Sequence, residues 1–453
     1  MKLHGTKLNK DECFRNFNPV KTLDFTKCQD TKLYIDFSSV RGSNIKRELK
    51  RSIIYSGDEP KCLLFTGHVG CGKSTELSHL KKELEEEQFH VVYFESSKDL
   101  DMADVSISDI LLAISLQVVK SLEKVQLKIQ PARFQTLLKG AANLLNSEVN
   151  GLKVKIPQMG DIGFKTEQGQ NTLSFGIGEI TTKAKDSVKI RSLLRQYMEP
   201  RVNNILEAIN QELIAPAQKQ LKRRGKKGLV VIVDNLDRID NKLMLGNRLQ
   251  PEYLFVDRGE QLKQLQCHVV YTIPLILAFS NDRENLTNRF GSEPLLLPMI
   301  RVEEKNGNPC KKGIFLLRKM VLARAFPKIA PNDRLALIPQ LFDNIATLNR
   351  LCQVSGGHTR NLLVLLSICF QKEDPPFSRN LVEKVIKQRR SDLAKAITSD
   401  EWELLKKVAK QKEVTGEQEY QTLLKSLFVF EYRDDEENWF GINPILAEAA
   451  KLK

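Results

Sequence analysis

The sequence predicts an α/β fold: a parallel sheet carrying a phosphate-binding loop, then a helical region, then a small C-terminal unit. Three stretches carry that prediction. Gly67-His68-Val69-Gly70-Cys71-Gly72-Lys73-Ser74-Thr75 fits the pattern G-x-x-x-x-G-K-[ST] without a mismatch. Leu229-Val-Val-Ile-Val-Asp234 is an apolar run that ends in a carboxylate, as a strand buried on both faces would. From about residue 305 the apolar spacing becomes helical.

The first stretch is a nucleotide site in outline. Its three glycines let the backbone fold into a nest whose N–H groups converge on a triphosphate. Lys73 supplies a point charge for the β- and γ-phosphates, and the Ser74 hydroxyl can hold Mg²⁺. The flanks agree with this. Cys62-Leu63-Leu64-Phe65 is long enough for a buried strand. Leu77, Leu80 and Leu84 line one face of a following helix, whose N-terminus attracts phosphates. All nine residues from Gly67 to Thr75 are therefore candidate contacts to nucleotide.

Composition bounds the class. The 453 residues allow two to four domains. Apolar and charged fractions of 41% and 28% are those of an ordinary globular chain. No run approaches the ~20 apolar residues of a membrane span, and the first residues lack the apolar core of a secretory signal. The eight cysteines show neither a C-x-x-C pair nor zinc-ligand spacing. A cytoplasmic location with mostly free cysteines is expected. The net charge of +14 permits nucleic-acid binding without requiring it. Its densest cluster, Lys222-Arg223-Arg224-Gly225-Lys226-Lys227, reads either as a solvated loop or as a phosphate-contacting patch.

In chain order, residues 1–36 are polar and weakly periodic and read as an N-terminal arm, with a short strand at Tyr34–Phe37. Phe37 to Arg41 either wall the base of a nucleotide or simply pack. A helix with Ile45, Leu49 and Ile53 on one face follows. His90–Phe94 is a second buried strand, and Ile110, Leu111, Ile114, Val118 and Leu122 mark a long amphipathic helix. Residues 127–190 depart from the α/β pattern. Their two alternating runs, Leu152–Ile156 and Leu173–Ile177, suggest an inserted hairpin. Asp234 ends its strand at the carboxyl edge, where ligands of open α/β sheets bind, and is placed for a Mg²⁺ shell. His268–Thr272 is the next strand. Thr272 either reaches the γ-phosphate or attacking water, or only ends the strand before Pro274. Leu295–Leu297 is a fifth strand, which puts the core at 37–304.

A helical lid is expected over 305–396. Within it, Ser355-Gly-Gly-His-Thr-Arg360 opens a helix carrying Leu362, Leu363 and Leu366. An arginine in a first helical turn opposes the macrodipole, which suggests that Arg360 faces an anion. Residues 397–453 form a separate unit. Thr398-x-x-Glu401 is a capping box with Ile397 and Trp402 as its staple. A second helix over Glu417–Ser426 and a hairpin of Phe428–Tyr432 with Trp439–Ile442 complete a winged-helix outline.

These landmarks, in this order, resemble the AAA+/STAND branch of P-loop NTPases over roughly residues 35–453. The resemblance implies a parallel-sheet P-loop NTPase of the ASCE/AAA+ type, an α-helical lid and a winged-helix domain, with ATP and Mg²⁺ as ligands. Asp234-Asn-Leu-Asp237-Arg238 resembles the D-x-L-D-[ER] Walker B variant of NACHT and KAP-type NTPases. It implies that Ser74 and Asp234 hold the metal. Thr272 matches the sensor-1 position, Arg360 the sensor-2 position, and Arg289 the place of an arginine finger that serves a neighbouring subunit. The residue after Asp234 is Asn235 where AAA+ proteins carry glutamate, and an amide is no general base. Either Asp237 takes that role or hydrolysis is slow. The resemblance therefore implies a slowly hydrolysing molecular switch in prokaryotic defence or signalling. Such a switch would self-associate through its NTPase face and act with a separate protein sensor or effector. The rival reading is an AAA+ DNA-binding ATPase of the initiator, loader or transposition-regulator kind, with DNA or RNA as partner. Four adjacent carboxylates at Asp434–Glu437 argue against a DNA-facing wing.

Overall fold

The computed structural model describes residues 7–148, 173–244, 246–416, 418–434 and 437–452. Two compact units are formed, one from residues 48–66 and 80–295, the other from 1–47, 67–79 and 296–453.

The first unit is built on strands β1 (Cys62–Thr66), β2 (His90–Glu95), β3 (Leu229–Asp234) and β4 (His268–Thr272). With β5 (Leu295–Leu296) they make a five-stranded sheet in the order β2-β3-β4-β1-β5. The pairs β2/β3, β3/β4 and β1/β4 are parallel, with Val92 opposite Val231, Val231 opposite Val269 and Leu63 opposite Val270. Every residue of β1, β3 and β4 is buried, which is why these runs are continuously apolar rather than alternating. Parallel pairing brings the carboxyl ends to one edge. Asp234 ends β3, Thr272 ends β4, and Gly67 leaves the end of β1.

The helix Ile107–Lys124 opens with a reciprocal capping box between Ser106 and Asp109 and packs into the same core. So do Phe134 and Leu138 from the helix Ala132–Glu148. The segment Leu173–Ile177 is not a strand. It begins the helix Leu173–Asp186, with Leu173, Ile177, Ile180 and Ala184 buried in that core. Leu173 and Ile177 are four residues apart, so a five-residue alternation fits a helical face as well as a strand; Ile180 and Ala184 decide it. The C-terminal flank of the expected 127–190 insertion is therefore core helix, while Leu152–Ile156 lies outside the described residues.

The second unit has a helical core. Its main elements are Lys311–Ala325, Ile345–Val354, Thr359–Lys372 and Arg379–Ala394. Within the expected N-terminal arm, the described residues 7–36 are packed in part. The helix Lys10–Asn16, capped by Asn9, buries Cys13, and Phe17 directly after it is also fully buried in this helical core. Arg324 donates to the Asn16 carbonyl at 2.6 Å, and the Asn16 amide returns a bond to the Arg324 carbonyl at 3.0 Å. Tyr34–Phe37 forms no strand either. Asp36 Oδ1 accepts from the Ser38 N–H at 2.8 Å, a local turn that leads into the 3₁₀ segment Ser38–Val40.

The C-terminal part contains the helices Ser399–Gln411 and Gln418–Lys425 and an antiparallel hairpin of β6 (Val429–Arg433) and β7 (Asn438–Ile442). The capping box of Thr398 and Glu401 is present, and Ile397 and Trp402 are buried. Tyr432 and Trp439 stack across the hairpin at 4.5 Å. Glu417, Asp435 and Glu436 lie outside the described residues. Among the described residues no helix is long and apolar enough to cross a membrane.

Replacement of the fully buried Phe17 tests whether the N-terminal segment is structural. Phe17→Ala is expected to cost about 3–5 kcal/mol of stability, read as a lower denaturation midpoint of the full chain. An arm that merely lies on the surface would give no measurable change.

Candidate nucleotide site

The phosphate loop belongs to the second unit, and its outer side is enclosed there. The helix that follows starts at Lys73, with the Thr75 and Glu76 N–H groups donating to the Gly72 carbonyl. Lys73, only 5% exposed, donates through Nζ to the Gly67 carbonyl at 2.5 Å and the His68 carbonyl at 2.9 Å. The loop is thus laced to its own lysine.

The remaining carbonyls are taken by residues from elsewhere in the unit. His358 Nε2 donates to the Val69 carbonyl at 2.8 Å. Thr359 Oγ1 and the Arg360 N–H both donate to the Gly70 carbonyl, at 2.9 and 3.3 Å. Arg41 Nη2 donates to the Cys71 carbonyl at 2.7 Å, and its Nη1 to the Pro298 carbonyl. Gly70 has to be glycine here. Its φ is +90°, and a Cβ would stand 2.8 Å from His358 Cε1 and 2.9 Å from Arg360 Cβ.

His358 has a double task. Its Nδ1 accepts from the Asn361 N–H at 2.9 Å, capping the helix Thr359–Lys372, while Nε2 serves the loop. Both bonds require the neutral ring. Burial supplies it, pushing His358 down to about 4. His68, on the loop itself, accepts through Nε2 from the Glu431 N–H of β6 at 3.0 Å. Burial, with the neighbouring His358 and Lys73 charges, pushes His68 down to about 3. Phe430 lies against both rings, stacked on His358 at 5.6 Å and edge-on to His68 at 5.7 Å. The Glu431 side chain is fully buried, and neither carboxyl oxygen has a hydrogen-bond partner among the described residues. Burial pushes it up to about 8, against the pull of Arg433 and Arg41.

The candidate acidic residues belong to the first unit. Asp234 is 1% exposed; its Oδ2 accepts from the Tyr93 hydroxyl at 2.8 Å and its Oδ1 from the Asn235 N–H at 2.7 Å. Asn235 adopts φ +68°, and its amide donates to Ser97 Oγ at 3.2 Å and Glu95 Oε2 at 3.4 Å. That left-handed backbone gives the amide a reason to stand where glutamate was expected. Asparagine tolerates the conformation better than glutamate does. Asp237 is half-buried in the 3₁₀ turn Leu236–Arg238. Thr272 is fully buried, and its hydroxyl accepts from the Leu236 N–H at 3.0 Å and donates to the Val233 carbonyl at 3.3 Å. Arg289 sits in the last turn of the helix Arg283–Phe290, where it lines an open polar pocket with Arg248, Asp257, Glu260 and Asp282.

Members of the basic cluster contact neighbouring residues. Lys222 meets Asp58 at 2.7 Å, Arg224 donates to the Val125 carbonyl at 2.5 Å, and Lys226 and Lys227 reach Gln88 and Glu87 at 3.5 Å. Arg390 is likewise bound to Glu448 and to the Ile445 carbonyl.

Residues 43–246 match the model of the KAP family P-loop domain. This match covers the phosphate loop and the Asp234 strand, and the sheet supplies the expected parallel frame. The core carries a P-loop NTPase fold on a five-stranded sheet. No curated protein matches the chain. Among solved structures, the ORC2 protein of Aeropyrum pernix is similar with a TM-score of 0.40 and 12% identity, over 95% of this chain and 93% of that one. Cdc6p from Pyrobaculum aerophilum gives 0.35 and 11%, over 93% and 96%. A Walker-type ATPase of Pyrococcus abyssi gives 0.39 and 11%, over 92% and 98%.

The NTPase surrounds its loop and its Asp234 with residues that no motif announces: Arg41, Tyr93, His358, Thr359 and Glu431. Arg41 belongs to the Phe37–Arg41 stretch, a candidate wall for the base, and His358 and Thr359 stand at the N-cap and first position of the helix that follows Ser355-Gly-Gly.

Two outcomes follow from this geometry. Asn235→Glu is expected to destabilise by about 1 kcal/mol through its left-handed backbone, while Asn235→Gly loses less; thermal denaturation of the two variants measures the order. For Glu431, a folded-state value raised to about 8 means stability that is full below the unfolded carboxyl range and lost as pH rises through 8. Glu431→Gln should therefore gain on the wild type between pH 5 and pH 8, by up to ~1.4 kcal/mol per pH unit. A variant–wild-type difference in melting temperature that is flat over that range would show that Glu431 carries no such penalty.

Proposed function

We propose that this P-loop NTPase binds ATP·Mg²⁺ and hydrolyses it slowly, as a nucleotide-driven switch that controls a partner protein or its own assembly. The observation that carries the reading is the enclosure of the loop. Its carbonyls and its His68 ring are held by the lid helix that begins at Thr359 and by β6 of the C-terminal hairpin. A ligand that alters the loop therefore acts directly on C-terminal elements, which is what a switch requires.

In this reading, the loop N–H groups and Lys73 bind and orient the phosphates, and Arg360 contributes positive charge to them. Their fit is supported by Lys73 held against the loop and by the positive φ of Gly67, Gly70 and Gly72, the backbone that a phosphate nest needs. Ser74 and Asp234 would hold Mg²⁺, which when bound offsets the charge of the phosphates. Asp237 is the candidate to take a proton from the attacking water, because Asn235 cannot. Slow turnover suits a site whose residue after Asp234 is an amide. Thr272 is assigned the sensor-1 position with its hydroxyl facing the turn after β3, and Arg289 the arginine-finger position in a self-associated form. A defence or signalling role with a separate sensor or effector is the setting that the resemblance suggests. DNA is the less supported partner, since the four adjacent carboxylates Asp434–Glu437 oppose a phosphate-facing C-terminal hairpin.

Steady-state ATP hydrolysis by the full chain, with and without duplex DNA, tests the proposal. A low rate indifferent to DNA, abolished in Lys73→Ala, is expected. Asp237→Asn should lower that rate at least about tenfold with little change in ATP affinity. Strong stimulation by DNA would replace the switch with a DNA-dependent ATPase, and ATP affinity undiminished in Lys73→Ala would remove the assignment of the loop.

A further inference from the structure

In a trans peptide the C=O of one residue and the N–H of the next point to opposite sides of the same plane. The carbonyls of the phosphate loop therefore report where its N–H groups are aimed. The Val69 carbonyl is drawn to His358 Nε2, which turns the Gly70 N–H away from the lid helix. The Cys71 carbonyl is drawn to Arg41 Nη2, which turns the Gly72 N–H away from Arg41. Between them, the Gly70 carbonyl accepts from Thr359 Oγ1 and the Arg360 N–H, while the Cys71 N–H is used inside the loop by the His68 carbonyl at 3.2 Å. Neither the Gly70 nor the Gly72 N–H donates to an acceptor among the described residues.

We propose that Arg41, His358 and Thr359 are positioning residues of the nucleotide site. They grip the outer carbonyls of the loop so that the Gly70 and Gly72 N–H groups converge on phosphate. The inference rests on the nucleotide-binding reading above and deepens it, because none of the three belongs to the G-x-x-x-x-G-K-[ST] pattern. Arg41 is suited to the task. It is 3% exposed and its planar fork bridges two carbonyls, Cys71 and Pro298, which a lysine point donor cannot do in the same geometry. His358 is fixed from behind by its capping bond to the Asn361 N–H, so its Nε2–H has one direction. Thr359 is half-exposed at the helix start, and its hydroxyl bond to Gly70 can be removed without opening the core.

A brace of this kind acts on phosphate and not on the base. That separates it from ordinary packing. Calorimetric titration of the full chain with ATP and with inorganic triphosphate, both in the presence of Mg²⁺, would compare the wild type with Arg41→Lys, Thr359→Val and Thr359→Ser. Thr359→Val is expected to weaken both ligands by about fivefold and Arg41→Lys by about tenfold, at unchanged stoichiometry, with Thr359→Ser restoring the wild-type value. Affinities for both ligands within about twofold of wild type in Thr359→Val and Arg41→Lys would overturn the inference and leave the nucleotide site standing. Weakening of ATP alone would also overturn it, since the residues would then serve the base. A wild-type chain that binds neither ligand would overturn the site assignment and the brace together. Should Arg41→Lys fail to fold, Thr359→Val and its serine rescue decide the matter.

Discussion

A loop that presents N–H groups to an anion has an unsolved problem on its other face. Each peptide that offers its N–H inward turns a carbonyl outward, and a buried carbonyl without a donor costs on the order of a hydrogen bond. Here the donors come from the loop's own Lys73, from the start of the lid helix and from the N-terminal segment. Much of the second unit follows from that requirement. Gly70 must be small because the lid helix comes this close, His358 must be neutral because it donates on one side and accepts on the other, and Arg41 must be buried.

The sheet and the loop were legible in the sequence because both are governed by local rules. Continuous apolar runs such as Leu229–Val233 mean strands buried on both faces, and the glycine-lysine pattern has one familiar backbone. The capping box at Thr398 was legible for the same reason. Errors arose where the local signal was short or weak. Leu173–Ile177 satisfies two periods at once, and the N-terminal segment was read as an arm because its buried apolar side chains are few, with Cys13 and Phe17 spaced like one helical turn. Arg360 was expected to face an anion, but the bonds that enclose the loop's carbonyls were not legible. His358 and Val69 are 289 positions apart, and no spacing rule connects them.

Charge illustrates the same limit. A net +14 looks like a property of the surface as a whole, and the run from Lys222 to Lys227 looks like its focus. In the fold Lys222 and Lys227 of that run meet carboxylates, Asp58 and Glu87, and Lys222, Arg223, Arg224 and Lys227 all stay exposed. Composition sets the sum of charges, and packing decides which of them face outward.

The second unit is assembled from three stretches of chain, 1–47, 67–79 and 296–453. A ribosome delivers Arg41 and the phosphate loop early, and His358, Thr359 and β6 much later. During synthesis the loop therefore exists for more than two hundred residues without the lid helix or β6. The bonds from His358, Thr359 and β6 are then added only after those residues emerge, and a chain terminated before them carries the motif without that support.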